Sequence, residues 1–137
     1  MPSAVVVRRG HFNAAHRLHN PDRSDEWNRN AFGPCNNPNY HGHNYEVEIC
    51  VEGEIDPETG YVVDVAILKA LFDQYIHSVL DHRNLNLDVE WFASRLPSAE
   101  NIAMFIWEQL APRIPAGRLQ RIRLWETPRN YVEYTGG

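Results

Sequence analysis

The chain has 137 residues, about one domain's worth at roughly 100–200 residues per domain, and is long enough to bury a core unaided. Apolar residues at 43% and charged ones at 23% are ordinary globular composition and argue against disorder. A formal charge of −5 disfavours non-specific nucleic-acid binding, and the absence of any apolar run of membrane-spanning length excludes a transmembrane helix. The apolar stretch of MPSAVVVRRG is too short for a signal peptide, and two Cys make no disulfide framework. The expected location is therefore cytoplasmic, where thiols stay reduced. Seven His stand out, because His is the commonest metal ligand and titrates near neutrality.

In chain order, the first strand signal is Ala4 to Arg9, centred on Val5, Val6 and Val7, and it continues in extended fashion through His11 to His16. A polar stretch from His19 to Tyr40 follows, crowded with Asn, Asp, Pro and Gly. A loop this long in a small domain is usually functional or disordered. From His41 the sequence alternates, with Tyr45, Val47, Ile49 and Val51 on one face, which predicts a half-buried strand. GEIDPETG (53–60) is turn chemistry, and Tyr61 to Val63 reads as the start of a further strand returning as a hairpin.

Asp64 is placed to cap a helix ending near Leu80, with Val65, Leu68, Phe72, Tyr75, Ile76 and Val79 as its apolar stripe. Ser98 caps a second helix with Glu100 in its first turn and Ile102, Ile106 and Leu110 as its stripe. Pro112 and Pro115 stop it. Leu119 to Glu126 alternates again, and Asn130 to Tyr134 makes a last short strand. The order ββααββ predicts an α+β fold, with an antiparallel sheet carrying both helices on one face.

His41 and His43 stand two apart at the start of a strand, so they point to the same side as Tyr45, Val47 and Ile49. His16 shares the parity of Phe12 and Ala14 and reaches the same spot if the two strands pair. Three neutral imidazoles suit zinc, and three protein ligands leave a fourth position open for chemistry. An H-x-H pair is also common without metal, and a lone His16 has a structural reading as a hydrogen-bonded residue. Cys35 in the long loop is either a thiolate nucleophile or base beside a cation, or a small apolar filler. Asp81 beside His82 is a carboxylate placed to fix a tautomer and raise basicity, a common pair in itself. Glu126 lies on the core-facing row of Ile122 and Leu124, where a carboxylate is costly unless it meets a partner. An Arg is one such partner, and a planar guanidine-like ligand edge is another. His11, His19 and His77 read as surface or packing residues.

Taken together, FNAAHRL (12–18), CNNPNYHGHNY (35–45), GEIDPETGYVVD (53–64), LDHRNLNLD (80–88), PSAENIAMFIWEQL (97–110) and WET (125–127) resemble the 6-pyruvoyl tetrahydropterin synthases and the related 6-carboxytetrahydropterin synthases. The resemblance runs nearly end to end, over 1–137 as one domain. It implies the tunnelling fold: a four-stranded antiparallel sheet with two helices, three subunits closing a barrel, and two trimers stacked as a homohexamer with active sites at subunit interfaces. It implies 7,8-dihydroneopterin triphosphate as substrate and Zn2+ as cofactor. His16, His41 and His43 match the zinc ligands, and Cys35 the catalytic thiol. Asp81 and His82 match the proton-relay partners, Glu126 the carboxylate that anchors the pterin, and Ser98 and Glu100 the helix-start positions that help hold it. The Cys35-to-His41 interval favours the pyruvoyl type, although Tyr40 stands where that type often has Gly.

Overall fold

The computed structural model describes all residues, 1–137. Two long strands dominate it: β1 (Ser3–His16) and β2 (His41–Glu54) pair antiparallel along their whole length, from Ser3 opposite Glu54 to His16 opposite His41. That register follows from burial. Phe12, Ala14 and His16 of β1 and Tyr45, Val47 and Ile49 of β2 are all buried, and a slip by one residue would turn both rows to solvent. Phe12 and Tyr45 face each other across the pair with stacked rings, centroids 4.8 Å apart.

The predicted hairpin after β2 does not form. Residues 61–63 are not a strand, because both edges of β2 are already taken, one by β1 and the other by β4 (Arg118–Thr127). Val62 and Val63 are buried nonetheless, as packing under the sheet rather than as ladder residues. β5 (Asn130–Tyr134) pairs antiparallel with β4. The sheet has five strands rather than the expected four, in the order β3-β1-β2-β4-β5. The addition is β3 (Arg83–Asn84), two residues lying parallel to Ala14 and Ala15 on the outer edge of β1. No periodicity announces so short a strand.

The polar loop is partly helical. α1 (Asp25–Phe32) is capped by Ser24, whose hydroxyl accepts from the Trp27 N–H, and a 3-10 turn (Gly33–Asn36) carries Cys35. The fully buried Asn28 organises this segment, its amide donating to the Asn20 and Ser24 carbonyls at 2.9 Å and its carbonyl accepting from the Asn20 N–H at 2.7 Å. Local side-chain bonds to backbone, not apolar spacing, hold it, which is why the composition reads as loop.

α2 runs over 65–80. It starts as Val65–Phe72 with Asp64 as cap, passes through a π-helical turn (Asp73–His77), and ends as Ser78–Leu80. Its buried stripe is Leu68, Phe72, Ile76 and Leu80, whereas Val65 and Val79 of the expected stripe are exposed. Strict spacing by four drifts around a helix of about 3.6 residues per turn. The wider π turn takes up that drift and keeps all four side chains on the sheet. Gly10 of β1 lets α2 lie this close, since a Cβ there would sit 2.6 Å from the Phe72 ring.

A single turn, α3 (Leu85–Asp88), follows β3, and α4 (Ala99–Leu110) is capped by Ser98 as expected. Ile102, Ala103, Ile106 and Leu110 of α4 join the α2 stripe and the inward rows of β1, β2 and β4 in one apolar cluster, so both long helices cover the same face of the sheet. Full burial of each such aliphatic side chain stabilises by about 1.5–3 kcal/mol. The other face carries a charge ladder in which Arg123 reaches both Glu133 (2.6 Å) and Glu48 (3.5 Å).

Candidate functional site

The β1–β2 register decides the centre of the site. Because His16 lies opposite His41, and His43 is two residues further along the same inward row, the three imidazoles meet at one end of the sheet. Their metal-binding nitrogens all lie within 4.8 Å of one another. The Tyr45 ring forms the floor, 6.3 Å from His16 and 5.7 Å from His43 between centroids.

Proton positions follow from the partners. His16 Nδ1 is 2.7 Å from the Pro97 carbonyl, which can only accept, so Nδ1 carries the proton and neutral His16 presents a bare Nε2. That Nε2 is 3.0 Å from His41 Nε2. His43 Nε2 is buried without a hydrogen-bond partner, with Glu126 Oε1 3.6 Å away. Burial holds His16 and His41 below the ordinary imidazole range, which keeps both in the neutral form that a metal requires. Two nitrogens at tetrahedral positions on one ion would be about 3.3 Å apart, close to the His16–His41 spacing. The orphaned nitrogen, the converging lone pairs and the neutral rings fit a bound metal ion.

Cys35 and Glu126 belong to the same neighbourhood. The 3-10 turn is tied beside the end of β1 by the Leu18 N–H donating to the Cys35 carbonyl at 2.8 Å and by the Asn36 amide donating to the Leu18 carbonyl at 2.7 Å. Burial pushes the Cys35 thiol above its ordinary value, and the negative charge of Glu126 adds to this. Within the chain no cation counters that shift at the sulfur. Glu126 has no Arg partner. It opens with Ser98, Glu100, Leu18, Asn130 and Tyr131 on a cleft of about 240 Å³.

Asp81 and His82 stand elsewhere, on the outer edge of β1. The Asn13 N–H donates to Asp81 Oδ1 at 3.0 Å, the His82 N–H donates to the Asn13 carbonyl at 2.7 Å, and His82 Nδ1 lies 2.7 Å from Asp81 Oδ2. The Asn13 bond, helped by His82, holds the Asp81 carboxyl below its usual range. No hydrogen bond or ion pair joins Asp81 or His82 to Cys35 within the chain. The His82 side chain is 76% exposed, so it is free to act on something outside its own chain.

Two residues hold left-handed backbone without being glycine: Tyr40 at φ 68° and His82 at φ 58°. Both stand beside candidate site residues, where such strain collects. The sequence reading missed the Pro97 carbonyl, the Tyr45 floor and His77, whose Nε2 is 3.3 Å from Asp81 Oδ2. His77 stands four residues before Asp81 on a helix, a spacing that was legible beforehand.

An antiparallel sheet covered on one face by two helices, with three imidazoles converging at its end near a thiol and a carboxylate that has no Arg partner, defines a class: an α+β protein with a group that could hold a metal ion next to a cleft. The chain matches the family described as 6-pyruvoyl tetrahydropterin synthase over residues 5–137, and it belongs to that family. It is 47% identical over 133 residues to the Homo sapiens 6-pyruvoyl tetrahydrobiopterin synthase, covering 97% of this chain and 92% of that one. It superposes on the Caenorhabditis elegans 6-pyruvoyl tetrahydropterin synthase structure with a TM-score of 0.95 at 40% identity, over 100% and 98% of the two chains. A relative of another name, the dihydroneopterin monophosphate aldolase of Pyrococcus furiosus, is 36% identical over 124 residues, 90% of each chain.

Proposed function

We propose that this protein is a zinc-dependent lyase that converts 7,8-dihydroneopterin triphosphate to 6-pyruvoyl tetrahydropterin with elimination of triphosphate. The observation that carries the reading is the convergence of His16, His41 and His43 within 4.8 Å, near Cys35 and a Glu126 that has no Arg partner. Near end-to-end similarity to the human and nematode synthases supports it.

His16, His41 and His43 would hold the zinc, and their all-imidazole set suits that ion. When bound, zinc supplies Lewis acidity to the side-chain oxygens of the substrate. Glu126 receives the 2-amino and N3–H edge of the pterin as two parallel charge-assisted hydrogen bonds, with Ser98 and Glu100 at the mouth of the same cleft. Cys35 takes the proton from the side-chain carbon, and the Asp81–His82 pair passes the next proton. Triphosphate leaves as protons move from side chain to ring, so no external oxidant or reductant is consumed.

Asp81 and His82 do not reach Cys35 in one chain, which supports a site completed by a second copy. We place that copy in a homohexamer of two stacked trimers, with His82 of one subunit facing Cys35 of the next. The metal cluster and the exposed His82 then make one catalytic centre. The net charge of −5 suits a small-molecule enzyme, and no helix is long and apolar enough to cross a membrane.

The test is product analysis by mass spectrometry after incubation with 7,8-dihydroneopterin triphosphate. A pyruvoyl product with one triphosphate per turnover is the expected result. A carboxy product would place the chain with the 6-carboxytetrahydropterin synthases of queuosine synthesis, and an aldehyde from side-chain cleavage would assign aldolase chemistry. Substrate bound but unchanged would reduce it to a pterin-binding module.

A further inference from the structure

The sequence reads His77 as a surface or packing residue, yet its ring lies against the carboxylate that His82 bonds. Asp81 has two oxygens and three partners. Oδ1 accepts the Asn13 N–H at 3.0 Å. Oδ2 faces two imidazoles at once, His82 Nδ1 at 2.7 Å and His77 Nε2 at 3.3 Å. A single carboxylate oxygen shared by two titratable rings couples them: a proton on one ring lowers the benefit of a proton on the other.

The backbone is built for this contact. His77 is the last residue of the π-helical turn, and its carbonyl accepts the Asp81 N–H at 2.9 Å. Asp81 leaves the helix in extended conformation, which swings its carboxylate back over the last turn, and His82 follows in the left-handed region. On its far side His77 meets the His11 ring edge-on at 6.4 Å and the Phe72 ring at 6.4 Å. His77 is about two-fifths exposed, so it can exchange protons with solvent.

We propose that His77 is a positioning residue for the Asp81–His82 pair: by sharing Asp81 Oδ2, it aims the carboxylate at His82, and its charge sets the pH range in which His82 can carry the reaction's proton. This rests on the reading of Asp81 and His82 as the proton relay. The other charged or titratable groups around it are Asp73 and Lys69 on its own helix, paired at 2.7 Å, Arg8 and His11 on β1, and Arg83 beyond His82 on β3. Only Asp81 lies against both rings.

The experiment compares the intact zinc-loaded protein with His77→Gln, which keeps a donor but no charge, and His77→Leu, which keeps neither. The His82 imidazole is followed by NMR titration, and kcat and KM across pH with 7,8-dihydroneopterin triphosphate. The expected result is a His82 midpoint raised by about half a pH unit in both variants, because Asp81 Oδ2 then serves one ring instead of two. The limb of the kcat profile set by His82 moves with it, and KM stays within twofold. His77→Gln retains most of kcat, while His77→Leu loses about tenfold through a mis-aimed carboxylate. In an Asp81→Asn background, His77→Gln no longer moves His82. A His82 midpoint unmoved in both variants overturns the proposal, and so does an equal shift in the Asp81→Asn background. If the unsubstituted protein turns over no substrate, the lyase reading fails, while the NMR titration still decides whether His77 governs His82.

Discussion

Two histidine sites in this protein are built on opposite principles. The His16–His41–His43 cluster stands at the end of the inward rows of β1 and β2, over the buried Tyr45 ring, with no charge opposing its nitrogens except Glu126. The His82 corner stands on an exposed edge, at a helix end, with a carboxylate against the ring. Burial keeps His16 and His41 neutral and therefore able to hold a cation. At the second site a carboxylate lies against an exposed ring. A metal site asks for geometry that never moves, and strands paired over 14 residues supply it. The proton relay proposed for Asp81 and His82 needs access, and the exposed edge gives it.

The largest effects separate chemistry from metal binding. Cys35→Ala and His82→Asn should each lower kcat by about 10²–10⁴, the span of a lost general acid or base. Both should keep one zinc per chain by elemental analysis, because neither residue is a ligand. Mixed oligomers refolded from the two inactive variants should regain a fraction of the activity, since some sites then pair an intact Cys35 with an intact His82. No recovery on mixing would mean that one chain carries the whole site.

His41→Ala should do the reverse. We expect at least a 100-fold loss of zinc affinity, beyond the roughly 10–100-fold that outer-shell changes cost, with activity lost in proportion to metal. Glu126→Gln should weaken pterin binding about 10–100-fold, the worth of a hydrogen bond to a charged group, while zinc is retained. Direct titration with a non-hydrolysable pterin checks it.

The pH dependence of stability follows from the same contrast. His16 and His41 are held below the ordinary 6.5 by burial, so the unfolded chain takes up protons first as pH falls. The metal-free protein should keep its full contribution from these residues above about pH 6.5 and lose it progressively below. The Asp81 carboxyl, held low by Asn13 and His82, loses its contribution only in the more acidic range, below the ordinary 3.8. Denaturant unfolding at stepped pH reads both phases, and His16→Asn should remove much of the first. The smallest effect is at Tyr40. Relief of its positive φ by Tyr40→Gly, set against the extra freedom gained by the unfolded chain, should change stability by no more than about 1 kcal/mol.

Much of the His16–His41–His43 convergence was legible in the sequence because strand parity is legible. Phe12, Ala14 and His16, like Tyr45, His43 and His41, alternate with polar neighbours, and period two puts each set on one face. The capped helix at Ser98 was equally plain. Other features lacked a periodic signal. α1 rests on the internal bonds of Asn28, β3 is two residues long, and the strand expected at 61–63 was displaced because β2 has only two edges and both were taken. The drift of the α2 stripe was hidden by a π turn that no residue type specifies.

By itself, then, the sequence determined which side chains turn inward and which residue types are on hand for metal and proton chemistry, because both are local properties of the chain. Only the tertiary structure decided that His16 lies opposite His41, that Pro97 fixes the His16 tautomer, that Cys35 is partly buried near Glu126, and that Asp81 is shared between His77 and His82. Those facts depend on register, on burial and on which distant backbone atoms come within hydrogen-bond reach. They arise only when separate stretches of chain pack together.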